Sequence, residues 1–174
     1  VSVKEVLMNL STRKLTSYLM IAGPIGVFVV WGIIVEAVVG SSTVDGVENA
    51  GLFLQNASSA GNIAGLLEII GMLFFLAQTL GLVLFARQLS EEGSSGAAFA
   101  NLSALLGIIL SAVLISSADL GLSAMAMGDK GFTSEALAMA QISVNSGASF
   151  GIFFSLSFGL VSIPMIGQAS TNVK

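Results

Sequence analysis

The stretch Ile63–Ala86, IAGLLEIIGMLFFLAQTLGLVLFA, carries a single ionisable side chain, Glu68, and is closed by Arg87. A helix needs roughly 20 mainly apolar residues to cross a hydrocarbon core of about 30 Å, and this segment meets the requirement. Three others do the same: Leu15–Val39 (LTSYLMIAGPIGVFVVWGIIVEAVV), Leu102–Met127 and Ser149–Gln168. Their apolar runs are continuous and do not alternate with period two, which selects helices over the roughly ten-residue strands of a membrane barrel. The sequence therefore predicts an all-α polytopic membrane protein, one four-helix transmembrane domain over residues 1–174 arranged as two hairpins.

Composition agrees with this reading. Of 174 residues, 55% are hydrophobic and 9% charged, with a mean hydropathy of +0.95. Soluble domains carry about 25% charged residues, so the apolar surface that charge cannot cover is expected to face lipid. Cys and His are both absent, which removes disulfides, thiol nucleophiles, histidine-ligated haem and the usual zinc and iron–sulfur sites. Neither a cofactor nor enzymatic activity is expected. A net charge of −4 with six basic residues offers no footprint for nucleic acid, and no predicted strand precedes a glycine cluster that could cradle a nucleotide.

Orientation follows from the basic residues, which concentrate in cytoplasmic loops near span ends. Lys4, Arg13 and Lys14 precede the first span, Arg87 follows the second and Lys174 the fourth, whereas the remaining two loops hold only Lys130. Both termini and the Arg87–Asn101 loop are thus expected in the cytoplasm of a cell-membrane protein, with Gly40–Asn62 and Gly128–Ala148 outside. The first apolar run, about 25 residues, exceeds the apolar region of a cleavable signal peptide, and Val1 would permit removal of an initiator Met. Ser2–Ser11 spaces Val3, Val6, Leu7 and Leu10 as an interfacial helix. Tyr18 and Trp31 are the candidate interface anchors, and Ser90–Gly96 (SEEGSSG) reads as a flexible turn between hairpins.

The two halves resemble each other weakly. Residues 50–65 align with residues 136–151 so that Ala50, Gln55, Gly61 and Gly65 fall on Ala136, Gln141, Gly147 and Gly151. This reads as a parallel tandem repeat of hairpins. In each half an external amphipathic segment, Val47–Asn56 or Ser134–Asn145, leads into a small-residue motif at the start of the returning span. Asn56-Ala57-Ser58 matches a glycosylation sequon, although Asn9 and Asn101 match it as well on the opposite side.

Helices in lipid associate through close backbone approach and interhelical hydrogen bonds. Small-residue stripes are therefore the expected packing faces: Gly61 and Gly65 in the second span, Gly147, Gly151, Ser155, Gly159 and Ser162 in the fourth, and Ser111, Ser116, Asp119 and Ser123 in the third. Pro24 and Pro164 fall inside spans and free a carbonyl each.

Three intramembrane carboxylates, Glu36, Glu68 and Asp119, are the chemistry the sequence offers. By insertion scales such groups cost about 2.5–3.5 kcal/mol at the centre of a span and less toward its ends. No span holds Lys or Arg to neutralise them. Two function classes follow. An accessory subunit of a larger membrane complex accounts for the absence of catalytic residue types, with lipid, other membrane subunits or a second copy as partners. A small cation- or proton-coupled transporter or channel would instead use Glu36, Glu68 and Asp119 as one cluster. The accessory role requires fewer assumptions and is the expectation from sequence.

The orientation has a direct test. Cysteines introduced at Ser58 and Gly131 should react with an impermeant thiol reagent on intact cells, and one at Ser94 should not; labelling of Ser94 with protection of Ser58 would reverse the topology.

Overall fold

The computed structural model describes the backbone of residues 3–90 and 96–171, and the side chains of residues 11–90, 96–146 and 150–167. Its elements are α1 (Val3–Val29), a π-helical stretch (Val30–Val35), α2 (Glu36–Val38), β1 (Thr43–Val44), β2 (Val47–Glu48), α3 (Ala50–Ala60), α4 (Asn62–Leu89), α5 (Ala97–Asp129) and α6 (Thr133–Thr171). Four helical segments, Ser11–Val38, Asn62–Leu89, Ala97–Asp129 and Thr133–Gly167, are long and apolar enough to cross a bilayer. The 28 residues of α4 rise about 42 Å, enough to span the roughly 30 Å of a hydrocarbon core. The second and third extend past the bounds expected from hydropathy at both ends, and the first and fourth at their N-terminal ends.

The surface is far more apolar than that of a water-soluble protein, and the mainly apolar interior also holds hydroxyls. Tyr18, Phe28, Ile152 and Ile166 are each 66–71% exposed, while the buried polar side chains are Thr16, Thr79, Ser103 and Ser157. A soluble chain does not display apolar surface on this scale. With lipid outside, the arrangement is the expected one: apolar groups face the tails, and hydroxyls satisfy one another inside.

The contacts divide into two compact units. The first comprises Val1–Pro24, Leu76–Ser111 and Gly151–Lys174. Its core of Leu82, Val83, Ala86, Ala104 and Val161 is flanked by Met20, Phe85, Leu89 and Phe158. Glycine lets the backbones in: a Cβ at Gly23 would stand 2.7 Å from Gln78 Cα, and one at Gly107 2.6 Å from Val83 Cγ2. Hydroxyls bind the same helices together. Gln88 Nε2 donates to Thr16 Oγ1 at 2.8 Å, and Ser111 Oγ donates to Thr79 Oγ1 at 2.9 Å. Ser103 and Ser157 form a reciprocal pair, each hydroxyl donating to the other's carbonyl at 2.8 and 3.1 Å. The side chains of residues 3–10, on which the interfacial reading of the first segment depends, lie outside the described residues, as do residues 91–95 of the connecting turn.

The second unit comprises Ile25–Phe75 and Ala112–Phe150. Gly26 lies directly against the ring of Phe74 and Gly71 against the indole of Trp31. Ala50, Ala124 and Ala140 form a small core with Phe53, Leu54, Met139 and Val144 around it. Here α5 and α6 are joined by a second reciprocal pair, Ser117 Oγ to Ser143 O at 3.1 Å and Ser143 Oγ to Ser117 O at 2.9 Å.

Between α2 and α3 the chain forms an element absent from the hydropathy reading. Thr43 pairs with Glu48 and Val44 with Val47 in an antiparallel hairpin, closed by Asp45 and Gly46 at φ of 52° and 79°. Two consecutive positive φ values are what a two-residue primed turn demands, and Asp-Gly is a preferred pair for it. Asn49 then accepts from Leu52 N at 3.1 Å and caps α3, while Asn56 Nδ2 donates to Ser41 O at 2.8 Å and ties the hairpin to that helix. The sequon Asn therefore already serves as a structural clasp. Helix α3 stops at Gly61, whose φ of 60° and ψ of −140° turn the chain into α4. The corresponding Gly147 lies within the unbroken α6, so the two matching segments adopt different conformations at that point.

The stripe residues fall as follows. A Cβ at Gly65 would stand 3.6 Å from Leu122 Cδ2, an ordinary contact distance, whereas one at Gly151 or Gly159 would meet nothing within 4 Å. Ser155 and Ser162 share that exposed face, and the surroundings of Gly147 lie outside the described residues. The described contacts between α5 and α6 run through Ser103, Ser117, Ser143 and Ser157 instead. Replacing Gly23 by Leu should accordingly destabilise the protein by about 1–3 kcal/mol, since the Cβ meets rigid backbone, and Gly151→Leu should be tolerated. Thermal unfolding in detergent reads both; equal midpoints for the two variants would contradict the assignment of Gly23 to a contact face.

Candidate functional site

The second unit holds a cavity of about 310 Å³ lined by the π-helical stretch, α2, β2, α3, α4, α5 and α6. Trp31 and Val35 come from the π-helical stretch, Glu36 from α2, Ser42 from the loop that follows, Glu48 from β2 and Phe53 from α3. Glu68 and Phe75 come from α4, Val113, Leu114, Ser117 and Ala118 from α5, and Ser143, Val144, Ser146 and Phe150 from α6. Three carboxylates and four hydroxyls thus share one space with four aromatic rings. Among the described residues, no Lys or Arg lines it.

The π-helical stretch explains how α1 and α2 present both an aromatic ring and an acid. In an α-helix residues five apart lie about 140° round the axis, so Trp31 and Glu36 would look in different directions. Widening the turn to i→i+5 bonding narrows that separation. Gly40 N, which donates to Val35 O at 3.1 Å, makes a further bond of this reach at the end of the segment.

Trp31 forms one wall. Its ring centroid is 5.7 Å from that of Phe75, which in turn meets Phe150 edge-on at 4.7 Å. The indole Nε1 is completely buried and has no hydrogen-bond partner. It lies against Gly71 and within interaction range of the Glu68 carboxyl. Glu68 is half-buried. Glu36 and Glu48 are exposed, so the carboxylates range from the surface of the cavity to its interior. A smaller space of about 40 Å³ adjoins, sharing Val35, Ser42, Phe53 and Glu68.

Of the three carboxylates singled out in the sequence, Glu36 and Glu68 line this cavity and Asp119 does not. Asp119 is on the exposed face of α5, with Ser116 beside it, while Ser117 faces the cavity. One residue along a helix is about 100° of rotation, enough to separate the two faces. Glu48 is the acid the sequence reading left in an external loop. The signal for it was Asp45-Gly46 between Thr43-Val44 and Val47, a hairpin turn that folds Glu48 back toward the helices.

A second cavity, of about 380 Å³, is lined by Gln55, Ser58, Asn62, Asp129 and Thr133 together with Gly61, Gly65 and Leu122. Apart from Asp129 its polar groups are neutral, so it concentrates no charge. No known protein-family model matches the chain, and no curated protein or solved structure is similar to it. Function must therefore be argued from the first cavity's own chemistry.

Proposed function

We propose that the chain is a small multi-pass membrane transporter that takes up a cation in the cavity lined by Glu36, Glu48 and Glu68. The observation that carries this reading is the sign of the lining: three acids, four serine hydroxyls and no basic residue among the described ones. Carboxylates held in a low-dielectric surrounding without a protein counter-charge favour a bound cation or proton over the empty ionised state. The hydroxyls of Ser42, Ser117, Ser143 and Ser146 supply neutral oxygen acceptors around the same space. The exposed positions of Glu36 and Glu48, against the half-buried Glu68, form a graded path for a positive ion from the surface inward. On the orientation expected from the basic residues, that path opens to the outside.

The accessory-subunit role is the second reading, and Asp119 favours it. An ionisable residue within a span normally faces a partner, a cavity or the bundle interior. Asp119 is exposed on α5, which leaves a partner chain as the group to satisfy it, and the open face of Gly151, Ser155 and Gly159 on α6 offers a surface for close helix approach. The two readings are compatible if the transporter works as an oligomer.

Reconstitution separates them. In proteoliposomes with an imposed inside-negative potential, the parent chain should admit cations, Glu68→Gln should abolish the flux, and Asp119→Asn should leave the intrinsic cavity working. Absence of flux from well-folded parent protein, together with stoichiometric co-purification of other membrane subunits, would favour the accessory role.

A further inference from the structure

The chemistry of the cation follows from how charges and rings are distributed round the cavity, and this inference rests on the cation-binding reading above. A hard metal ion requires several oxygens converging on one point at about 2.0–2.6 Å. Among the described residues, no group of three acidic side chains comes together in that way. Glu36, Glu48 and Glu68 instead surround a space of about 310 Å³, near the lower end of the roughly 300–1,000 Å³ typical of organic ligand sites. The wall they share is aromatic: Trp31, Phe75 and Phe150 form a continuous array with centroids 5.7 and 4.7 Å apart.

Ring faces attract a positive charge lying within about 6 Å, but they cannot replace the hydration shell of Na⁺ or Ca²⁺. An alkylated ammonium needs no such replacement, because its charge is spread over methyl groups that donate no conventional hydrogen bonds and pack against apolar surface.

We infer that the cavity binds a small quaternary ammonium compound, its cationic head among the Trp31, Phe75 and Phe150 rings, with Glu68 supplying the counter-charge. Trp31 is the single tryptophan of the chain, so its emission reports directly on occupancy.

The test is a fluorescence titration of the full chain in lipid nanodiscs. Choline should produce a saturable change in Trp31 emission. Its uncharged carbon isostere, 3,3-dimethylbutan-1-ol, should bind at least about tenfold more weakly, and Na⁺ and Ca²⁺ at matched ionic strength should have no saturable effect. Glu68→Gln and Phe150→Leu should each weaken choline binding about tenfold, with folding checked by circular dichroism, and Asp119→Asn should not. Two variants guard against the loss of either one to misfolding. A saturable, Glu68-dependent response to Na⁺ or Ca²⁺ but not to choline would overturn the ammonium assignment and leave the cation-binding function standing. Equal binding of choline and its neutral isostere would reduce the site to an apolar pocket. No response to any cation, with no flux in proteoliposomes, would overturn both.

Discussion

Lipid tails are as apolar as leucine, so two helices in a bilayer gain nothing from hiding apolar side chains against each other. What holds them must be polar, or must be close packing made possible by small residues. The structure uses both. Ser103 with Ser157 and Ser117 with Ser143 exchange hydroxyl-to-carbonyl bonds between α5 and α6, and Gly23, Gly26, Gly71 and Gly107 admit a neighbouring helix or its side chains at distances that a Cβ would block. Each interhelical hydrogen bond contributes only about 0.6 kcal/mol on average. Their value lies in specifying position: a serine rotated by one residue would leave a polar group facing hydrocarbon.

That specification determines which side chains reach the cavity of the second unit. Ser117 and Ser143 line it while bonded to each other, so the contact that joins α5 to α6 also fixes part of the wall. On the other side, the π-helical turn carries Trp31 and Glu36 to the same space, and Gly71 accommodates the indole. The hairpin adds Glu48. Three elements with no common sequence pattern thus deliver acids and rings to one place, and none delivers a positive charge. The imbalance is the feature from which the functional reading grows.

The span count was legible because hydropathy over a 20-residue window is a strong signal, and Glu36 and Glu68 stood out because ionisable residues in spans are rare. What escaped was angular. Asp119 and Ser117 are two residues apart, yet one is exposed and the other lines the cavity; a stripe drawn through Ser116, Asp119 and Ser123 follows a different face from the one through Ser103, Ser117 and Ala124 that is buried or half-buried. In a span that is apolar all round, amphipathic periodicity gives little guidance about which face points inward. The π-helical turn shifts the phase again within the first span, and no residue type announces it. The hairpin is legible in Asp45-Gly46 between Thr43-Val44 and Val47-Glu48, but its strands are too short for hydropathy to register. Glycine was read through GxxxG spacing, whereas Gly23, Gly26, Gly71 and Gly107 act one at a time against individual side chains or backbone.

The central claim is that Glu68 sits in a cation site. A hydrophobic carbodiimide modifies carboxyl groups within the membrane domain, and mass spectrometry of the digested protein gives the modification rate of each acid separately. If the claim holds, adding choline to the reconstituted chain slows modification of Glu68 in a saturable manner, while Asp119 reacts at an unchanged rate. If Glu68 reacts equally fast with and without every cation tried, choline, Na⁺ and Ca²⁺ included, the cavity does not hold a cation and the account fails.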